Sequence, residues 1–324
     1  DMINAGCTYC IMEVSSHALF LNRAAGIDFD AAIFTNLSED HLDFHKDFDD
    51  YLNAKLMLFD LLKKSQKQGK LVVINADSNV YNKVQSHVNG LGLNSTTISI
   101  QNNSDYKVTD YHSDIKSNKF SAATPIGNRE FSLSLLGKFN VLNALCVIAV
   151  LDFFKIERSF IKKGLEQVNV PGRFQRIDAP SGFTVIVDYA HTNDALENVL
   201  STIKELNPTK IISVFGCGGD RDTVKRGLMG EVSTMIADLT ILTSDNPRTE
   251  DPEEILDMIE HGAVKGGGEF IRISDRESAI RRGIELAGAG DIVLIAGKGH
   301  EDYQLLGDKT IHFDDVEIAE KYVY

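Results

Sequence analysis

The residues with the clearest chemical potential lie between positions 35 and 55, in T-N-L-S-E-D-H-L-D-F-H-K-D-F-D-D-Y-L-N-A-K. Asp40, His41, Asp43 and His45 follow the apolar run Ala31, Ala32, Ile33 and Phe34, which reads as a buried strand. Polar groups at a strand's exit stand where open α/β sheets bind their ligands. Carboxylate oxygens with an imidazole suit magnesium or manganese better than zinc. An amphipathic helix follows, with Leu52, Leu56, Phe59 and Leu62 at core spacing. Lys55 borders that stripe. Partial burial would lower its pKa and make it nucleophilic, whereas at the surface its stem would merely cover apolar neighbours. Glu13, in E-V-S-S-H at 13–17, is expected at the end of a strand over residues 9–14, bringing a second hard ligand to the edge that holds His41.

The elements needed to position these groups follow from patterning. At 324 residues, 43% apolar and 25% charged, the chain can bury two cores. We place the domains at 1–170 and 171–324, divided at Val170-Pro171-Gly172, because Pro-Gly stops a helix over 159–167 and a new α/β run follows. In the first half, strand 71–74 and helix 78–88 continue the alternation. Short alternating runs between 96 and 136 predict antiparallel strands beside the parallel sheet, and a strongly apolar helix spans 141–154. In the second half, strands at 183–187, 210–215, 239–243, 270–273 and 292–295 alternate with helices at 195–206, up to about 261, and 277–287. Four of these strands run into polar loops: D-Y-A-H-T-N-D at 188–194, G-C-G-G-D-R-D at 216–222, D-N-P-R at 245–248 and G-K-G-H-E at 297–301. This half therefore reads as a Rossmann-like open sheet whose carboxyl edge binds ligands. The glycines let backbone approach a ligand, but G-C-G-G is not G-x-G-x-x-G.

Composition removes several classes of function. No apolar run reaches the ~18 residues of a membrane span. The net charge of -14 argues against nucleic acid or an anionic membrane as partner. Cys7, Cys10, Cys146 and Cys217 are too few and scattered for a disulfide framework, which suits a reducing, cytoplasmic address. A monomer is expected.

Taken together, E-V-S-S-H, T-N-L-S-E-D-H-L-D-F-H, A-K at 54–55, G-R-F-Q-R at 172–176, D-Y-A-H-T, G-C-G-G-D-R-D, D-N-P-R and G-K-G-H-E resemble the Mur ligases in order and spacing. The resemblance covers almost the whole chain. It implies a central ATP-binding domain, a Rossmann-like amino-acid-binding domain that closes over the nucleotide, and a cytoplasmic, ATP-dependent amide-bond ligase of peptidoglycan synthesis. The implied reaction adds meso-diaminopimelate to UDP-N-acetylmuramoyl-L-alanyl-D-glutamate through an acyl phosphate. Glu13, His41 and Lys55 match a magnesium site, with Lys55 carbamylated. Asn140, Asn143, Arg173 and Asp188 match ATP contacts, and Ser15 and Arg23 match contacts to the UDP-muramoyl peptide. Arg221, Asp245, Asn246, Pro247, Arg248, Gly297 and Glu301 match the diaminopimelate site. Where some relatives have glutamine, Leu21 stands here, and Asn193 replaces a frequent proline. The family's phosphate loop, G-x-x-G-K-[ST], has no counterpart in the chain, so the resemblance also implies an N-terminally truncated ligase, incompetent alone.

Four alternatives stay open on the residues themselves, one of them a catalytically inactive binding module. Lysine in place of diaminopimelate would keep the family and change the substrate. A metallohydrolase using Asp40, His41 and His45 would bind zinc and need no ATP. An oxidoreductase would use Gly216, Gly218 and Gly219 for a nicotinamide cofactor.

Overall fold

A computed structural model of the chain describes residues 1–38, 41 and 44–324, so Glu39, Asp40, Leu42 and Asp43 lie outside the described residues. The chain forms two compact units, one of residues 1–107 and 145–156, the other of 108–144 and 157–324.

The first unit holds α1 (Ser16–Phe20), β1 (Ala31–Phe34), α2 (Phe48–Lys64), β2 (Leu71–Asn75), α3 (Tyr81–Gly90) and β3 (Ser95–Ser99), and β4 (Tyr106–Ser113) begins in it. β1, β2, β3 and the first residues of β4 pair in parallel, in that order. The antiparallel strands expected between 96 and 136 therefore begin later, since β3 and the start of β4 are parallel and β5 (Asn118–Thr124) and β6 (Gly127–Leu133) pair antiparallel. α2 starts because the Asp47 carboxylate accepts the Asp50 N–H at 2.8 Å, and Asp49 and Asp50 meet the positive end of the helix dipole. Its stripe of Leu52, Leu56, Phe59 and Leu62 is buried against Val72, Ile74, Val84 and Val88, as the spacing predicts. Leu62 is fully buried, so Leu62→Ala is expected to cost about 2–5 kcal/mol, read as a lower unfolding midpoint in denaturant.

One expected strand is missing. Residues 9–14 form no strand among the described residues, and Ile11 is 96% exposed. Glu13 is exposed on this irregular segment, so it does not leave a strand alongside β1.

The second unit takes up the rest of β4, then β5 (Asn118–Thr124) and β6 (Gly127–Leu133), an antiparallel hairpin about Pro125 and Ile126. Next come α4 (Lys138–Phe153), which crosses back into the first unit, and α5 (Arg158–Gln167). The large sheet is made by β7 (Gln175–Asp178), β8 (Thr184–Asp188), β9 (Ile211–Phe215), β10 (Leu239–Leu242), β11 (Phe270–Arg272) and β12 (Ile292–Ala296). Its helices are α6 (Asn193–Glu205), α7 (Val224–Ile236), α8 (Pro252–Gly266) and α9 (Arg276–Glu285). The hairpin of β13 (Tyr303–Leu306) and β14 (Lys309–His312) precedes the last helix, α10 (Asp315–Val323).

The sheet order is β11-β10-β9-β12-β8-β7, parallel except for β7. Side chains alternate between two cores. Ile186, Phe215, Leu242 and Leu294 meet Leu196, Val199, Met229 and Ile259, while Val185, Val214, Ile241 and Val293 meet Ala279, Ile280, Ile284 and Ala319. Helices cover both faces of a parallel sheet, as hydrophobic runs buried on both sides require. β12 returns between β9 and β8, so the strand order reverses there, and crevices at such points collect ligands.

Candidate functional site

The register levels the ends of four strands. Ala296 pairs with both Asp188 and Phe215, and Phe215 pairs with Leu242, so the four polar loops start at one height. The loops after β10 and β12 interlock. Asn246 Nδ2 donates to Glu301 Oε2 at 2.9 Å, while Asn246 Oδ1 accepts from the Leu305 N–H at 2.9 Å and from Lys298 Nζ at 3.3 Å. Lys298 has no exposed side-chain surface and also lies 3.4 Å from Glu301 Oε2 and 3.9 Å from Asp245 Oδ1. A buried ammonium is tolerable only beside such partners. Gly297 has a φ of +117°, and a Cβ there would come 2.7 Å from Asp245 Oδ2, so both conformation and space call for glycine.

Arg248 belongs to the same group. Its Nη1 donates to Gly219 O at 2.6 Å, and its backbone is tied to the β13–β14 hairpin through Leu305 O and the Gly307 N–H. Its φ of +55° is left-handed, a costly conformation for a non-glycine residue and one that clusters at binding sites. Pro247 is buried ahead of it. Asp245, Asn246, Pro247, Arg248, Gly297 and Glu301 are thus gathered in one place. Arg221 is exposed on the neighbouring loop, its Nη1 on Asp220 O at 2.9 Å. Cys217 carries no nucleophile, since burial pushes its thiol up to about 12.

Sequence reasoning passed over Lys298, although it stands inside the G-K-G-H-E run, and also Arg226. Arg226 forks onto Glu250 with both bonds at 2.8 Å and donates to Gly218 O, joining the loop after β9 to the one after β10. The Arg226 bonds hold the Glu250 carboxyl below its ordinary value of 4.5. A lowered folded pKa stabilises above the unfolded value and stops stabilising as pH falls through the folded one. Glu250→Gln is therefore expected to lose about 3 kcal/mol at neutral pH, the low end for unpairing a buried charge whose partner is partly exposed. Denaturant titrations should show the gap between wild type and variant closing as the solution is acidified below pH 4.5.

The residues matched to ATP contacts lie in this unit too. Asp188 is buried, and its two oxygens accept the Phe174 N–H at 2.7 Å and the Ala190 N–H at 2.8 Å. Burial raises its pKa against those bonds and the nearby Arg173 charge. Asp188 thereby shapes the turn at 172–175, where Gly172 packs so closely on Gly299 and His300 that no Cβ would fit. Arg173 is exposed, its guanidinium 4.7 Å over the Tyr189 ring. Asn140 is buried and donates to Leu136 O at 2.7 Å, and the exposed Asn143 donates to Asn140 Oδ1 at 3.3 Å.

The first unit holds a separate aromatic and imidazole group. His45 is buried, with Nε2 2.9 Å from Ser16 Oγ and its ring stacked on Tyr51. His41 has a φ of +58° and stands edge-on to His17 and Tyr51. Lys55 is half-buried with Nζ 5.0 Å from the Tyr51 ring. Ser15 caps α1 through the Ala18 N–H at 3.1 Å, and Arg23 is exposed beyond that helix. Among the described residues no three His, Cys, Asp or Glu side chains gather as metal ligands. Asp40, which the hydrolase alternative needs, lies outside the described residues.

Comparison with known proteins agrees with this architecture. Residues 1–151 match the Mur ligase middle domain and residues 172–299 the Mur ligase, glutamate ligase domain. The chain is 43% identical over 326 residues to the UDP-N-acetylmuramoyl-L-alanyl-D-glutamate--2,6-diaminopimelate ligase of Clostridium botulinum, covering 100% of this chain and 65% of that one. The ligase of the same name from Clostridioides difficile is 45% identical over 320 residues, 98% of this chain and 65% of its own. A solved structure of a diaminopimelate ligase so named superposes with a TM-score of 0.64 at 36% identity, over 99% of this chain and 65% of that one. A folylpolyglutamate synthase from Mycobacterium tuberculosis shares the fold at a TM-score of 0.67 and 18% identity. The chain thus spans 65% of the length of the curated relatives it matches. Two family domains in sequence, the leveled strand ends and relatives above 40% identity along the whole chain have one explanation: the chain belongs to the Mur ligase family.

Proposed function

We propose that this protein adds meso-diaminopimelate to UDP-N-acetylmuramoyl-L-alanyl-D-glutamate at the expense of ATP, in the cytoplasm, and that the chain supplies the amino-acid site. The observation that carries the proposal is Arg248, held in a left-handed conformation beside a buried cluster of Asp245, Asn246, Lys298 and Glu301. Diaminopimelate differs from lysine by a carboxylate next to its distal ammonium. An arginine fork matches the carboxylate, and Glu301 or Asp245 matches the ammonium. Arg221 serves the substrate's other carboxylate.

In the reaction, the D-glutamyl carboxylate takes the terminal phosphoryl group of ATP and ADP leaves. The neutral amine of diaminopimelate then attacks the acyl carbon, gives up one proton to solvent as the amide bond forms, and phosphate leaves with the bonding pair of the C–O bond. The cluster's task is to hold the amino acid so that its free amine is presented, since fixing a nucleophile is worth several powers of ten in rate. Arg173, stacked and exposed, and the Asn140–Asn143 pair are the proposed nucleotide contacts, while Asp188 acts by shaping the turn that carries Arg173. Ser15 and Arg23 are the proposed contacts to the muramoyl peptide.

Calorimetric titration of the chain with meso-diaminopimelate and with L-lysine tests the proposal. Binding of the first at micromolar to millimolar concentration, with lysine at least about a hundredfold weaker, is the expected result. Equal binding, or a preference for lysine, would overturn it.

A further inference from the structure

The loops of the candidate amino-acid site start from β10 and β12, which are not neighbours, because β9 lies between them. Arg276, the first residue of α9, spans that gap. Its Nη1 donates to Ser244 O at 3.3 Å and its Nη2 to Ala296 O at 3.0 Å. Ser244 immediately precedes Asp245, and Ala296 immediately precedes Gly297. The guanidinium is turned to this task by Asp315, the first residue of α10, whose carboxylate takes the Nε–H at 2.8 Å and a second Nη2 bond at 2.7 Å. Neither side chain has any exposed surface.

We propose that Arg276, oriented by Asp315, is a positioning residue that fixes the separation of the Asp245–Arg248 and Gly297–Glu301 loops. This rests on the assignment of those loops to amino-acid binding. It also gives α10, which lies beyond residues 172–299 of the family match, a part in the site. The alternative is that the pair merely holds α9 to α10. Chemistry separates the two. A buried ion pair is often replaced by apolar side chains without loss of stability, so docking two helices does not require it. Apolar side chains cannot donate to Ser244 O and Ala296 O. The field at Arg276 agrees: burial opposes its charge, but Asp315 together with Asp245 and Glu301 raises its pKa, so the guanidinium is also coupled to the site's carboxylates.

Hydrogen exchange on the 324-residue chain, with no ligand present, tests the proposal. The double variant Arg276→Met with Asp315→Leu keeps an apolar contact between α9 and α10. It should melt close to wild type, while the Gly297, Arg248 and Leu305 N–H groups exchange at least about tenfold faster and those of β9 are unchanged. Unchanged exchange in the loops of a folded double variant would overturn the proposal. Should that variant not fold, Arg276→Lys decides: it keeps a charge for Asp315 but loses the second arm, and the same acceleration is expected, with unchanged exchange overturning the proposal. Titration with meso-diaminopimelate is a separate readout. A wild type that fails to bind it refutes the substrate assignment, whereas the exchange result still decides whether Arg276 sets the loops.

Discussion

Replacing Arg248 by alanine is expected to reduce the preference for meso-diaminopimelate over lysine by at least about a hundredfold. The expectation follows from how the side chain is held. Its backbone is fixed on both sides, by Leu305 O and by the Gly307 N–H, and one arm of the guanidinium rests on Gly219 O at 2.6 Å. The arginine is therefore pre-aimed, and little rotamer entropy remains to be lost on binding. A carboxylate can take two parallel charge-assisted bonds from it, each worth roughly 1.5–3 kcal/mol. Lysine brings no such carboxylate and leaves the guanidinium short of a partner in a half-buried position, a loss on the same scale. Affinity for lysine should hardly change in Arg248→Ala, because the residue has nothing to give it. The asymmetry is diagnostic. Titration of wild type and variant with both amino acids should show diaminopimelate alone losing affinity. A variant still strongly selective would show that the distal carboxylate is read elsewhere.

How much of this was legible in the sequence depended on burial. β8, β9 and β12 are five-residue runs buried along their whole length, and a largely apolar, β-branched run of that length ending at Gly or Asp has few other interpretations. Asp188, Gly216, Asp245 and Gly297 were found because the apolar sequence stops there, although all four are themselves buried. Residues 9–14 show the limit. Tyr9, Ile11, Met12 and Val14 have strand composition, yet a strand also needs a partner's backbone, and β1 pairs with β2 alone among the described residues. Composition does not report that. β7 was passed over because G-R-F-Q-R has turn and charge character, and among the described residues it is an edge strand paired with β8 alone. α7 went unread because Gly227 and Gly230 interrupt its pattern. The β13–β14 hairpin is largely exposed, so burial wrote little there. Within the site, the fully buried Lys298, Arg226 and Arg276 were missed because charged residues ordinarily face water, and only their partners, far along the chain, disclose that these do not.

Lys55→Ala is expected to reduce ligation by about a thousandfold or more, if the lysine does its work as a carbamate near the transferring phosphoryl group. Its position suits that chemistry. Lys55 is half-buried on α2, its Nζ 5.0 Å from the Tyr51 ring, in a group that also holds His17, His41 and His45. The neutral amine is the form that attacks carbon dioxide. The nitrogen bonds to the carbon, one proton leaves to solvent, and an anionic, carboxylate-like group replaces a cation at the same place. An exposed lysine would instead remain an ammonium and contribute no more than a solvated charge. The two states predict different rescues. In a ligation assay, acetate or formate at tens of millimolar should restore part of the lost rate to Lys55→Ala, because either brings the missing oxygens into the space the side chain vacated. Methylamine, which restores the cation alone, should not. Rescue by the amine and not by the carboxylates would show that Lys55 acts as an ammonium, and an Ala variant of unchanged rate would remove it from the chemistry altogether.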